Sequence, residues 1–312
     1  MHVVAAPASL KTVLSAPDAA AALARGLRAA GELVEECPVA DGGEGTAAVL
    51  AAALGGAWHT ETVVDPLGRP VEARWLELPD RRGIIESAEP LGLARLAQRE
   101  LDPVRASSRG LGELILAAGE RPLLVCLGGT ATVDGGRGLR EVVRRLPEGT
   151  RVACDVRSPL LDAARLFAGQ KGASAEDAEE LERRLAGDDD LRPYAELPGA
   201  GAAGGLGAAL AALGAELVPG AELVLDVIGF ETLLSDANLV VTGEGAVDRT
   251  SREGKAPSEV ARRARAAGVR CVVFGGRVDE PLPGAETVAL SGDPARASDD
   301  LTALGFRLGQ TG

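Results

Sequence analysis

The chain has 312 residues, enough for two domains, and is 46% hydrophobic but only 2% aromatic, so Leu, Val and Ala must build its interior. Its 33 basic and 46 acidic residues give a formal charge of −13 without a basic stripe, which argues against a nucleic-acid binder. Cys37, Cys126, Cys154 and Cys271 show no metal-ligand spacing, and His2 and His59 are too separated for a histidine-based site. With no signal-peptide pattern and no apolar run of about 18 residues, a reduced, cytoplasmic protein that neither spans nor binds a membrane is expected.

Residues 2–6 form an apolar run followed by a loop. Ser15, Pro17 and Asp18 open a helix whose buried face is Ala16, Ala20, Leu23, Ala24 and Leu27, and Gly31 ends it. A strand over 33–39 and a helix over 47–54 follow, giving the rhythm of a parallel α/β sheet. The spacing then predicts a meander of strands over 58–64, 71–78 and 83–86, where a second domain begins. Beyond it lie a helix over 111–119, strands over 123–127 and 151–156, a polar helix over 174–185 and an apolar one over 206–213. Residues 239–241 read as a strand, 257–267 as a helix and 270–274 as a strand. The tail after Gly276 is weakly patterned. The first and last segments share one rhythm, so both chain ends are expected to build one sheet around an inserted domain.

Four kinds of glycine-rich turn stand at the ends of these elements. Val39-Ala40-Asp41-Gly42-Gly43-Glu44-Gly45-Thr46 packs two carboxylates and three glycines behind an apolar run. Glycine lets the backbone approach a ligand closely, and carboxylates there can hold Mg²⁺ or take a hydroxyl proton. Such a turn also fits a plain strand-to-helix connection, with Asp41 capping and Glu44 at the helix start. Similar turns recur at 128–136, 198–205 and 242–245. Residues 199–204 spell G-x-G-x-x-G, with Glu222 near the ribose-binding distance, but the preceding segment is polar and holds two prolines, so a nicotinamide enzyme is a minor alternative. Amides facing a ligand anion suit this turn better. A P-loop is disfavoured, because Ala256 follows Gly254-Lys255.

Acids accompany these turns at Asp41, Glu44, Asp134, Asp155, Glu244 and Asp248. The chain has three lysines, Lys11, Lys171 and Lys255, against thirty arginines, and all three stand beside Gly or Pro turns. A lysine retained in an arginine-preferring chain suggests a need for a compact ammonium. Carboxylates for Mg²⁺, amides and ammonium groups for phosphate oxygens, and an acid for a hydroxyl proton form the inventory of phosphoryl transfer.

These blocks resemble the class I glycerate kinases, which phosphorylate D-glycerate with ATP and Mg²⁺, typically at the 2-hydroxyl. The stretch from Val39 to Thr46 matches the family's V-A-D-G-G-E-G-T. Gly128-Gly129-Thr130-Ala131-Thr132 with Asp134-Gly135-Gly136 resembles G-G-S-A-T-N-D-G-G. Cys154-Asp155-Val156, Gln170-Lys171-Gly172-Ala173, the run from Pro198 to Gly207, and Thr242-Gly243-Glu244-Gly245 with Asp248 and Gly254-Lys255-Ala256-Pro257 match further blocks. The resemblance implies Asp41, Asp248 and Lys11 as catalytic residues and Asp134 and Glu244 as Mg²⁺ contacts. It implies substrate or nucleotide binding by Gly42, Gly43, Glu44, Gly128, Gly129, Thr130, Asp155, Lys171, Gly201, Gly204, Gly205, Gly243, Gly245 and Lys255. Asp41 and Asp248 both remain open as the base, and Glu44 joins the metal-or-substrate contacts.

The chain also departs from the family pattern. Ala8 stands where the family has Asp, Val133 where it has Asn, and Ala246 where it has Arg, while Thr250-Ser251 replaces a Gln-Thr pair. Ser108-Arg109-Gly110-Leu111-Gly112 stands at the family's Y-G-T-G, and the stretch between Gly138 and Val152 is shorter. The expectation is a two-domain α/β protein. A flavodoxin/Rossmann-like parallel domain comprises residues 1–56 and 235–312, and a second α/β domain is inserted at 57–234, with the site in the cleft between them. The function expected is ATP-dependent phosphorylation of D-glycerate or a close hydroxy acid; the alternative is a family member that binds ligand without turnover. The expected partners are that small hydroxy acid and ATP, with a homodimer admitted.

Overall fold

The computed structural model describes residues 1–10, 12–252 and 255–311, so Lys11 and Gly254 lie outside the described residues. The described strands are β1 (His2–Pro7), β2 (Leu33–Glu36), β3 (Ala57–Val64), β4 (Pro70–Glu77), β5 (Gly83–Glu86), β6 (Leu123–Leu127), β7 (Arg151–Cys154), β8 (Glu216–Pro219), β9 (Leu239–Val247), β10 (Arg270–Val278) and β11 (Glu286–Ala289). They form two sheets, and the chain divides into two compact units. The first unit comprises Met1–Asp41, Ala48–Leu54 and Ala221–Gly312; the second comprises Gly42–Ala47 and Gly55–Gly220.

The first unit holds a wholly parallel sheet in the order β11-β10-β9-β1-β2. Numbered within the unit, that is the flavodoxin-like order 2-1-3-4-5, in which the direction of strand addition switches between β1 and β9 while all strands stay parallel. Alternation along β1 sends its residues to opposite faces. Val3 and Ala5 pack with Leu23, Leu27, Leu301 and Leu304, whereas Val4 and Ala6 pack with Leu225, Phe230 and Val260. Helices therefore cover both faces, as an all-parallel sheet requires.

The helix Ala16–Ala29 starts as expected, with Ser15 Oγ accepting the Asp18 amide proton at 3.2 Å. Its partner is the helix Ala297–Gln310, which the weakly patterned tail conceals. Gly26 lets these two helices approach closely, since a Cβ there would lie 1.9 Å from the Thr302 carbonyl oxygen. Residues 221–234, expected in the inserted segment, belong to the first unit, because Ala221, Leu225, Phe230 and Leu234 bury themselves with Val4, Val39 and Val240.

In the second unit the sheet runs β3-β4-β5-β6-β7-β8, antiparallel through the expected meander and parallel from β5 onward. The apolar strand expected over 123–127 is β6, buried throughout. Trp75, Ile85, Leu111, Leu114, Val125, Leu206 and Leu210 form the main core. A smaller cluster gathers Val133, Leu160, Leu181, Leu185 and Leu191.

Several elements differ from the sequence expectation. The strands β8 and β11 and the helices Asp162–Phe167, Gly220–Ile228 and Phe230–Leu234 are additional. Strands β9 and β10 extend beyond 241 and 274, because pairing continues through Gly243 and Gly275 as far as Val247 and Val278.

Candidate functional site

In an open parallel sheet, ligands gather outside the carboxyl ends of the strands at the point where strand order reverses. In the first unit that point lies between β1 and β9, where the Ala8 amide donates to the Gly243 carbonyl at 2.9 Å. A cavity of about 450 Å³ opens there, lined by Ser9, Glu244, Gly245, Asp248, Lys255 and Asp293 among others. Glu244 and Gly245 come from the end of β9, Asp248 from the turn that follows, and Lys255 from the N-cap of the helix Ala256–Ala266.

Glu244 is largely buried, with its side chain 13% exposed. One carboxylate oxygen accepts the Ser251 hydroxyl at 2.7 Å and the other lies 3.7 Å from Lys255 Nζ. Burial pushes the Glu244 carboxyl above its usual range; Ser251 and Lys255 oppose this, while the charges of Asp41 and Asp248 add to it. Buried Ser251 also accepts the Asp248 amide proton at 3.1 Å, so one hydroxyl orders both acidic positions. Gly243 keeps β9 and β10 in close register, since a Cβ there would lie 2.2 Å from the Phe274 carbonyl oxygen on β10.

Among the described residues this cavity is lined by four acids, Glu244, Asp248, Asp293 and Asp300, against two cations, Lys255 and Arg277, and that excess of negative charge suits a hard cation. Among the described residues no three acidic, His or Cys side chains converge as a metal cage. Mg²⁺ needs none, since it keeps waters and takes one or two carboxylates together with substrate phosphates.

In the second unit two glycine turns pack against each other. A Cβ on Gly128 would lie 3.2 Å from Gly43 Cα, and one on Gly129 would lie 3.1 Å from Glu44 Oε2. Gly42 has φ +89° beside Gly220 and Ala153, a conformation and a space that only glycine fits. Glu86 and Ser87, at the end of β5, hold both turns and were not singled out from sequence. The available signal was a Glu-Ser pair closing an otherwise apolar strand.

Other expected site residues are occupied within the protein. Lys171 is buried; its ammonium donates to the Thr132 carbonyl at 2.7 Å and the Thr130 hydroxyl at 3.3 Å. Burial pulls its pKa down to about 7, against the opposing charge of Asp134. Asp134 accepts four hydrogen bonds, from the Ser108 amide and hydroxyl and the Gly136 and Gly138 amides, at 2.8–3.1 Å. It ties two turns together. In the 198–205 turn, Gly205 donates its amide to the Gly201 carbonyl, and Gly204, at φ +77°, packs against the Thr132 carbonyl. This turn is an internal joint. Asp155 is exposed just beyond β7. The structure thus gathers Glu244, Asp248, Lys255 and Asp41 in the first unit, and Gly42, Gly43, Glu44, Gly128 and Gly129 in the second.

A larger cavity of about 920 Å³ lies in the second unit among Arg105, Arg137, Arg140, Arg144 and Asp188. It shares only Val133 and Asp134 with the glycine-turn blocks, so the smaller cavity at the strand ends is the better candidate.

The glycerate kinase family model matches residues 3–146 and 140–292. The chain is 38% identical to a glycerate 2-kinase of Escherichia coli K12, across 85% of this chain and 82% of that one. It is 35% identical to glycerate kinases of Halalkalibacterium halodurans and Bacillus subtilis, each across 89% of this chain, with 86% and 85% of those chains covered. A crystal structure of a Salmonella typhimurium LT2 protein assigned as glycerate kinase 2 superposes with a TM-score of 0.86 at 31% identity, covering 100% of this chain and 98% of that one. With matches along most of its length in both sequence and fold, the chain belongs to the glycerate kinase family.

Proposed function

We propose that this protein transfers the γ-phosphoryl group of ATP to the 2-hydroxyl of D-glycerate, as a cytoplasmic enzyme. The observation that carries the reading is the set Glu244, Asp248, Asp41 and Lys255 at the carboxyl end of the parallel sheet. Phosphoryl transfer asks chiefly for positioning and charge neutralisation, and these groups supply both. Asp41 or Asp248 takes the proton of the attacking hydroxyl. Lys255 faces phosphate or carboxylate oxygens. The two packed glycine turns of the second unit offer backbone amides to anionic oxygens, apart from those of Gly45 and Gly128, which bond within the protein. Glu244 would hold Mg²⁺, with Asp41 and Asp248 supplying nearby charge; when bound, the ion neutralises charge on the transferring group.

The Val133 departure does not count against activity. Val133 is buried among Leu160, Leu181 and Leu185, where an apolar side chain fits the surroundings. Ala246 lines the cavity beside Glu244, so it and Ala8 carry the remaining case for a family member that binds without turnover. Incubation with ATP, Mg²⁺ and D-glycerate, followed by phosphorus NMR of the product, tests the reading. A 2-phosphoglycerate signal supports it; a 3-phosphoglycerate signal or no phosphoglycerate contradicts it.

A further inference from the structure

We infer that Glu86 and Ser87 are positioning residues that fix the two glycine turns of the second unit against each other, an inference that rests on the kinase reading of those turns. The helix Thr46–Leu54 follows Gly45, which has no side chain to cap the first amides. Glu86 supplies the missing acceptor from β5: its two oxygens accept the Ala47 amide at 2.6 Å and the Gly45 amide at 3.1 Å. The next residue serves the other turn. Ser87 is fully buried, its amide donates to the Cys126 carbonyl at 2.9 Å, and its hydroxyl accepts the Gly128 amide and donates to the Gly128 carbonyl, each at 3.1 Å.

Adjacent residues of one strand end thus grip the 42–47 turn and the 128–130 turn, and these turns touch at Gly43 and Gly128. Glu86 is 8% exposed, and among the described residues no ion pair neutralises it. The charged side chains of the adjoining cavity are Glu44, Glu72, Glu89, Arg74 and Arg95, and both arginines pair with Glu89. Burial raises the Glu86 carboxyl above its usual range while the Ala47 and Gly45 amides hold it down, and Glu89 and Glu44 add to the rise. A carboxylate kept in so unfavourable a place, bonded among the described residues to the Gly45 and Ala47 amides, has turn geometry as its evident return. Misplacing a catalytic turn by about 1 Å costs roughly a hundredfold in rate.

The test compares the full-length wild type with Glu86→Gln, Glu86→Asp and Ser87→Ala. Amide hydrogen exchange of the segments 42–50 and 127–131 is measured beside kcat and KM for ATP and D-glycerate. Glu86→Gln places an amide nitrogen against a backbone N–H, so exchange should accelerate at 45–47. Its kcat should fall roughly tenfold to a hundredfold, with both KM values within about threefold of wild type. Ser87→Ala should accelerate exchange at Gly128 and lower kcat in the same way, and Glu86→Asp should recover part of the lost kcat. Accelerated exchange with unchanged kcat overturns the positioning role, and so does unchanged exchange at both turns. If Glu86→Gln does not fold, Glu86→Asp and Ser87→Ala decide by the same readouts. Absence of glycerate-dependent turnover in the wild type overturns the kinase reading, and the positioning role with it. The exchange measurement still shows whether the clamp itself exists.

Discussion

The Ser251 hydroxyl donates to the Glu244 carboxylate at 2.7 Å while accepting the Asp248 amide at 3.1 Å, which joins two acids of the strand-end cavity through one buried side chain. That hydrogen bond opposes the burial that raises the Glu244 carboxyl. In Ser251→Ala the carboxyl rises further, so a smaller fraction is ionised at a given pH. The acid limb of the pH profile of kcat/KM should therefore move to higher pH. At neutral pH the loss should be about tenfold, the worth of one hydrogen bond to a charged group. An unmoved acid limb would remove Glu244 from the ionisations that matter.

Asp41 and Asp248 compete for one role. Replacing the base by Asn should lower kcat by roughly 10² to 10⁴ with the fold intact, and the other variant should act mainly on KM. Steady-state kinetics of both variants, with circular dichroism as the fold control, assign the base. Full activity in both would exclude each of them.

Lys171 carries a pH prediction for stability. Its folded pKa of about 7 lies below its ordinary value of 10.5, so the unfolded chain binds the extra proton between those values. Its contribution is therefore fully present above 10.5 and is lost as pH falls towards 7. The effect is on the order of a few kcal/mol. Lys171→Met removes this ionisation, so the difference in denaturation midpoint between wild type and variant should change steadily with pH across that window. A pH-independent difference would contradict the burial of a titrating ammonium.

Two structural substitutions test the inner joints. Gly204→Ala forces a side chain into φ +77° and to 2.0 Å from the Thr132 carbonyl, which should cost roughly 2–4 kcal/mol. Asp134→Ala orphans the Ser108, Gly136 and Gly138 amides and should cost a similar amount. Urea denaturation measures both. Near-neutral results would mean that these turns tolerate rearrangement.

In the first unit β1, β9 and β10 were legible because they begin as short apolar runs, whereas β11, a short and partly polar edge strand, was not; the meander was legible because its turns carry Asp-Pro and Gly signals. The helix Ala297–Gln310 was not, although Ala297, Leu301, Leu304 and Leu308 keep helical spacing, because polar residues and two glycines dilute that pattern. Among the candidate site residues, Asp41, Glu244, Asp248 and Lys255 stood out as polar groups beside glycines at strand ends. Asp134 and Lys171 looked the same in sequence; only the surrounding amides and carbonyls show that their hydrogen bonds are spent within the protein. Glu86 was hidden by distance, since the helix it caps begins about forty residues earlier in the chain.

The most direct measurement is ADP release by the purified protein with ATP and Mg²⁺, in the presence and absence of D-glycerate. A glycerate kinase releases ADP only when D-glycerate is present, and Asp41→Asn with Asp248→Asn abolishes that release. Nucleotide binding by a folded wild-type protein, without glycerate-dependent ADP, would contradict the kinase reading and leave a family member that binds but does not turn over.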